Sequence, residues 1–348
     1  MIRYGKCVSI GVLLVLCAAG AVATETPLFD SSELLDVTIT APLGELLRDL
    51  DPEPKDRPAK LQYTDNTGVT HTFDIGVRQR GKTRRAPDLC KFPPLRINFK
   101  TKTTAETIFA GQDKLKLVTH CQDNRKLYQQ YVLQEYLVYK ILNLLTEQSF
   151  KTRLLNVTYV STDSKRKPLT SYAFLIEDRD RMAARSGYSF QEPTRIERHE
   201  LNAEAANLIE IFQYLIGNTD WSMLDGPGED RCCHNTILIA NEDGAYVPVP
   251  YDFDYSGIIN TPYALPASTV RIKSVRVRAY RGFCRASDLL EATLERYREQ
   301  QQAIYELYAQ QAGLTPATVN KTTKYFDDFY KTINDPRRLE RQIVRRCR

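Results

Sequence analysis

Gly217-Asn218-Thr219-Asp220-Trp221-Ser222, His234-Asn235-Thr236-Ile237-Leu238-Ile239 and Pro250-Tyr251-Asp252-Phe253-Asp254-Tyr255-Ser256-Gly257 are the stretches on which the reading of this chain turns. A helical pattern precedes them over 200–216, where Leu208, Ile211, Phe212 and Leu215 share one stripe. Apolar runs at 236–240 and 246–250 predict a short β-hairpin. An acid therefore follows a helix, an amide opens a hairpin, and a carboxylate lies just past the hairpin's other end. Phosphoryl transfer uses such a set. The acid orients an attacking hydroxyl, while amide and carboxylate hold a metal ion against the donor phosphates. Magnesium takes hard oxygen ligands, usually one or two carboxylates with phosphate oxygens, and Asp220, Asn235 and Asp252 offer that chemistry. Singly, each has a plainer use: Asp220 as a turn or N-cap acid, Asn235 as a loop amide, Asp252 and Asp254 as surface carboxylates or calcium ligands. The ordered set is more specific than its parts.

Working outward, the first half is rich in strand signals. Alternating runs at 37–40, 71–78, 95–99 and 115–118 precede a helical pattern over 123–145, and strands at 154–160 and 172–177 follow. Beyond the hairpin, a helix is expected from Ser287 as N-cap to about 312, closed by Gly313, and another over 316–333. This order predicts an α+β chain of two lobes with a cleft between them. One lobe, residues 24–178, is strand-rich with one long helix; the other, 179–348, is mostly helical with the hairpin embedded in it.

The order of motifs over 74–257 resembles the spore coat protein H (CotH) kinases, atypical members of the protein-kinase-like fold. Arg80-Gly81-Lys82-Thr83-Arg84 and Pro94-Leu95-Arg96-Ile97-Asn98-Phe99 resemble that family's Arg-Gly segment and its Arg-Ile-Lys-Phe strand. Lys114-Leu115-Lys116-Leu117-Val118-Thr119 with Asp123-Asn124 resembles the segment ahead of its first helix. Phe174-Leu175-Ile176-Glu177 and Pro250-Tyr251-Asp252-Phe253-Asp254 resemble two more of its motifs. The resemblance implies one bilobal kinase-like domain using ATP with Mg²⁺ or Mn²⁺. Asp220 is then the catalytic-loop acid, Asn235 and Asp252 metal ligands, and Asp254 an auxiliary ligand or structural partner. The nucleotide-contacting cation is Lys116 or Arg96, since Asn98 stands where relatives carry lysine. Glu135 is its expected partner, with Glu177 the competitor. No glycine-rich phosphate loop is present, and Arg80, Lys82, Arg84 and Arg85 are the groups that could contact phosphates instead.

The opening residues read as a cleavable secretory signal over 1–23. Arg3 and Lys6 precede an uncharged apolar run at 8–19, and Ala21-Val22-Ala23 supplies the small-x-small site. A lipoprotein signal needs a small residue before Cys17, where Leu16 stands. An exported chain, periplasmic or secreted, is the expectation, with its six later cysteines in disulfides and Cys90 paired with Cys121. Cys232-Cys233-His234 is a weak alternative as a metal site. The formal net charge of +5 is too mild for an obligate nucleic-acid binder, and no later stretch is apolar enough to span a membrane. The expected partner is an extracytoplasmic protein or glycan acceptor. Two segments are nonetheless strongly basic: Arg271, Lys273, Arg276, Arg278, Arg281 and Arg285, then Arg337, Arg338, Arg341, Arg345, Arg346 and Arg348. Each reads either as a solvated face or as a surface for an anionic substrate or envelope component.

Overall fold

In β1 (Leu35–Ala41), β2 (Arg57–Thr64), β3 (Thr70–Gln79), β4 (Leu95–Phe99), β5 (Lys114–Val118), β6 (Thr152–Ser161) and β7 (Leu169–Ile176), every second residue turns inward. Val37, Ile39, Leu61, Phe73, Ile75, Ile97, Leu115, Val157 and Leu175 meet in one buried core. The strands close into a barrel in the order β1-β2-β3-β4-β5-β7-β6. All neighbours are antiparallel except the closing pair, where β1 runs parallel to β6 from Leu35 opposite Leu155 to Ala41 opposite Ser161. Two short helices, α1 (Pro27–Asp30) and α2 (Leu43–Arg48), accompany the barrel. The computed structural model describes residues 1, 27–100, 103–226, 232–242 and 244–348. The secretory signal expected over 1–23 lies outside the described residues.

α3 (Lys126–Leu145) packs on the outside of this barrel. Leu154, Phe174 and Ile176, on the outer face of β6 and β7, join Val132, Leu133, Tyr136 and Leu137 of α3 in a second core. Ala173 to Ile176 is thus buried on both faces, which explains its unbroken apolar run. The same core continues into the second half. There α4 (Arg179–Arg185), α5 (Ala203–Ile216), α6 (Ser287–Glu299), α7 (Gln301–Gln310), α8 (Pro316–Ile333) and α9 (Pro336–Gln342) surround a small sheet of β8 (Ser189–Gln191), β9 (Thr236–Ala240) and β10 (Val247–Pro250), ordered β10-β9-β8.

The expected bilobal kinase-like fold is not what the chain forms, because its first seven strands close into a barrel. Two features make the closure. β2 was not expected, since Pro58 breaks its run and Arg57 and Lys60 interrupt its apolar character. Yet β1 pairs with β2 only through Thr38 to Thr40 opposite Gln62 to Lys60, so Pro58 needs no donor toward β1. The other feature is the parallel β1–β6 pairing, which no local signal announces.

The single helix expected over 287–312 is two, broken at Gln300. Its N-cap is Ala286, without a side-chain bond, rather than Ser287. Three cysteine pairs lie at disulfide distance: Cys90–Cys121, as expected, Cys232–Cys233 and Cys284–Cys347. Among the described residues, no helix is long and apolar enough to cross a membrane.

Candidate functional site

α5 starts at Asn202, whose side chain accepts the Ala205 N–H, and stops at Gly217 in the left-handed conformation, φ 66°. A Cβ there would lie 1.9 Å from the Tyr325 hydroxyl, so glycine is required twice over. The chain then turns through 218–222. Asn218 Oδ1 accepts the Asp220 N–H at 2.9 Å, and Asn218 O accepts from Trp221 Nε1 at 3.0 Å. An isolated antiparallel bridge, Ser222 to His234, ties this turn to the start of β9. Past β10, Gly257 N–H donates to Gly217 O and Ile258 N–H to Ile216 O, bringing the Asp252–Asp254 segment back to the end of α5. The three quoted stretches are therefore adjacent in space.

Asn235 and Asp252 sit at the two ends of the β9–β10 hairpin, and both take left-handed backbone angles, φ 48° and 62°. The Asn235 amide donates to Asp220 O at 2.8 Å and to Asp220 Oδ2 at 3.0 Å. Its own Oδ1 has no hydrogen-bond partner among the described residues. Asp220 Oδ1 meets His234 Nε2 at 2.7 Å, and this hydrogen bond holds the His234 ring above its ordinary pKa. Asp220 and Asp252 both reach solvent, their side chains 31% and 36% exposed.

Behind Asp252 lies a buried ionic knot. Arg84 bonds Asp252 Oδ1 at 3.1 Å and Asp254 Oδ2 at 3.2 Å, and lies 3.5 Å from Glu135 Oε2. Burial pushes the Asp254 carboxyl up to about 6, against the pull of Arg84, and Glu135 up to about 8. Tyr139 OH accepts the Asp252 N–H at 3.0 Å, fixing the backbone that carries the exposed carboxylate. Arg84, one of the basic groups that could contact phosphates, bonds Asp252 and Asp254 and lies against Glu135. Glu135 was expected to pair with Lys116 or Arg96, and it pairs with Arg84.

The remaining expected residues divide. On β5, Lys116 Nζ stands 4.9 Å over the Tyr251 ring. Burial and the nearby Arg80 lower its pKa to about 8, while Asp252 opposes the shift. Burial also lowers Arg80, again against Asp252. Lys116 and Arg80 thus join Arg84 as cations whose charge Asp252 feels. Arg96 lies opposite Lys116 in the β4–β5 register, with a buried Nε that lacks a partner. Asn98 donates to Asp56 at 2.8 Å. Glu177 is removed from this group. Arg185 bonds its two oxygens at 3.0 Å each, and the Lys151 N–H adds a third bond. His234 opens the second quoted stretch with no role of its own there, and its pairing with Asp220 across the bridge carries no sequence signal.

For a divalent cation the fit is partial. Asp252 keeps one carboxylate oxygen free of Arg84, and Asn235 keeps its amide oxygen, which makes a hard-oxygen pair of the kind magnesium takes. Asp254 is buried and engaged by Arg84, so it is not open as a ligand. Among the described residues, no group of three or more His, Cys, Asp or Glu side chains is arranged to hold a metal, and Cys232 and Cys233 lie at disulfide distance from each other. No protein-family model matches the chain, and no curated protein matches it either.

Proposed function

We propose that the site formed by Asp220, Asn235 and Asp252 transfers a phosphoryl group from a nucleotide to an acceptor hydroxyl, on a protein or, second, a glycan. The observation that supports this most directly is the Asn235 amide. Its nitrogen is spent on Asp220, which leaves its oxygen, without a partner among the described residues, open to a cation. Asp252 and Asn235 would hold Mg²⁺ or Mn²⁺, which when bound neutralises the charge of the donor phosphates. Lys116 and Arg80, drawn toward Asp252, would meet phosphate oxygens. Asp220 orients the acceptor hydroxyl and takes its proton as the new oxygen–phosphorus bond forms and the bond to the leaving phosphate breaks. His234 and Asn235 keep the Asp220 carboxylate in place. Arg84 fixes Asp252 from behind.

Action outside the cytoplasm, in a periplasm or after secretion, belongs to the same reading. Three cysteine pairs at disulfide distance fit an oxidising compartment, and the sequence over 1–23 reads as an export signal.

One observation favours a second reading. Arg84 already satisfies Asp252 and Asp254, so the site holds together without a metal, as a binding scaffold that does no chemistry would require. Incubation with γ-labelled ATP and Mn²⁺ or Mg²⁺ separates the two. The enzyme labels itself or casein, and Asp220→Ala and Asp252→Ala each lower the rate by several orders of magnitude. No metal-dependent nucleotide binding, read by thermal shift, and no labelling would leave only the scaffold.

A further inference from the structure

The two basic segments that stand far apart in sequence converge on one cavity of about 460 Å³ on the far side of α5's last turn. Cys284 and Cys347 lie at disulfide distance, Cys284 N–H donates to Arg348 O, and Arg348 N–H donates to Gly282 O. This clip lays the C-terminal segment along the first basic one. Ile343, 1% exposed, anchors the end of α9 in the core. The charged residues lining the cavity are Arg271, Arg278, Arg341 and Arg346, with no carboxylate among its lining residues.

The four guanidinium groups are not equivalent. Arg278 is built in: it donates to the carbonyls of Tyr214, Leu215 and Tyr325, bonds Asp328 at 3.0 Å and stacks 3.6 Å over the Tyr325 ring. The side chains of Arg271, Arg341 and Arg346 have no carboxylate or hydrogen-bond partner among the described residues. Tyr214 OH donates to Gln342 Oε1 at 2.7 Å and closes the polar end of the wall. Three unneutralised guanidinium groups around a concave site favour a ligand with several closely spaced negative oxygens, which guanidinium forks bind two at a time.

We infer that this cavity binds a compact polyanion carrying two or more phosphoryl groups, at a site separate from Asp252. Such groups occur in soluble polyphosphates and in anionic lipid headgroups, and two arms of one experiment distinguish these sources. Calorimetric titration of the purified protein with inorganic tripolyphosphate reads the soluble form. Co-sedimentation with vesicles containing cardiolipin, whose headgroup carries two phosphodiesters, against phosphatidylcholine vesicles, reads the lipid-borne form. The variant is Arg341→Gln with Arg346→Gln, two exposed side chains whose loss leaves the thermal midpoint unchanged. In at least one arm the wild type binds, and the double variant binds about tenfold more weakly or less well still. Lys116→Met leaves that binding unchanged, because Lys116 belongs to the other site. Equal binding by wild type and the double variant, loss of binding in Lys116→Met alone, or no binding in either arm would overturn the inference.

Discussion

Inside the barrel, Leu61, Ile97, Leu117 and Val157 are fully enclosed, and each needs only neighbours of suitable shape. At the seam where the barrel meets the 250–257 segment, Arg84, Glu135 and Asp254 are almost as enclosed, at 8%, 3% and 5% exposure, yet each needs an opposite charge at a set distance. The interior gains from burial at about 25 cal/mol per Å² of apolar surface and tolerates exchange of one hydrocarbon for another. The seam gains little from burial, since desolvating ions is costly and their attraction only offsets it. Its return is geometric. Asp252 is held by Arg84, by the Tyr139 hydroxyl and by a left-handed backbone, and so its solvent-reaching carboxylate is fixed in place. One region keeps the chain folded, and the other keeps a few oxygen atoms in place.

That contrast can be broken most forcefully at its centre. Arg84→Met should cost about 3–5 kcal/mol in urea unfolding, because Glu135 and Asp254 are left as buried carboxyls with no counter-charge. A loss below about 1 kcal/mol would mean that the knot is not electrostatic in origin. Inside the barrel, Leu61→Ala should cost about 2–5 kcal/mol through the cavity it leaves. If the proposed site binds nucleotide, the folded fraction of that variant should bind it with the affinity of the unaltered chain, and weakened binding would show that the two regions are coupled. The smallest effect concerns protonation. Lys116, lowered to about 8 by burial, carries its charge below that pH and loses it above. If the proposed phosphoryl-transfer site binds nucleotide through Lys116, its affinity for that nucleotide should therefore fall about tenfold as pH rises from 7 to 9. Lys116→Met should remove that dependence, and an unchanged slope in the variant would assign it to another group.

What the sequence reveals follows the same division. Local pattern located β4 to the residue, as well as α3, α5, α8, the β9–β10 hairpin and the pairing of Cys90 with Cys121. Each of these is written in period, cap or spacing. β2 stayed hidden because its outward face is Pro58, Lys60, Gln62 and Thr64, and Arg57 opens the inward row that Ala59, Leu61 and Tyr63 continue. The break between α6 and α7 at Gln300 has neither glycine nor proline to mark it. At the site, Asp220, Asn235 and Asp252 could be picked out by order alone, and they lie together. Arg84 could not. A run such as Arg80-Gly81-Lys82-Thr83-Arg84-Arg85 reads as a basic turn open to phosphates, and only the carboxylates of α3 and the 252–254 segment single out Arg84 as their partner.

The parallel seam between β1 and β6 has a consequence for how the molecule comes together. β1 can pair with β2 early, as neighbours along the chain, but its other edge waits for Leu155 to Ser161. Until that distant strand arrives, Leu35 to Ala41 offers a row of unpaired amides and carbonyls to any chain nearby. The last seam to close is thus also the one whose delay invites intermolecular pairing. A chain ending before residue 152 would carry that open edge permanently, and it should aggregate where the whole chain does not.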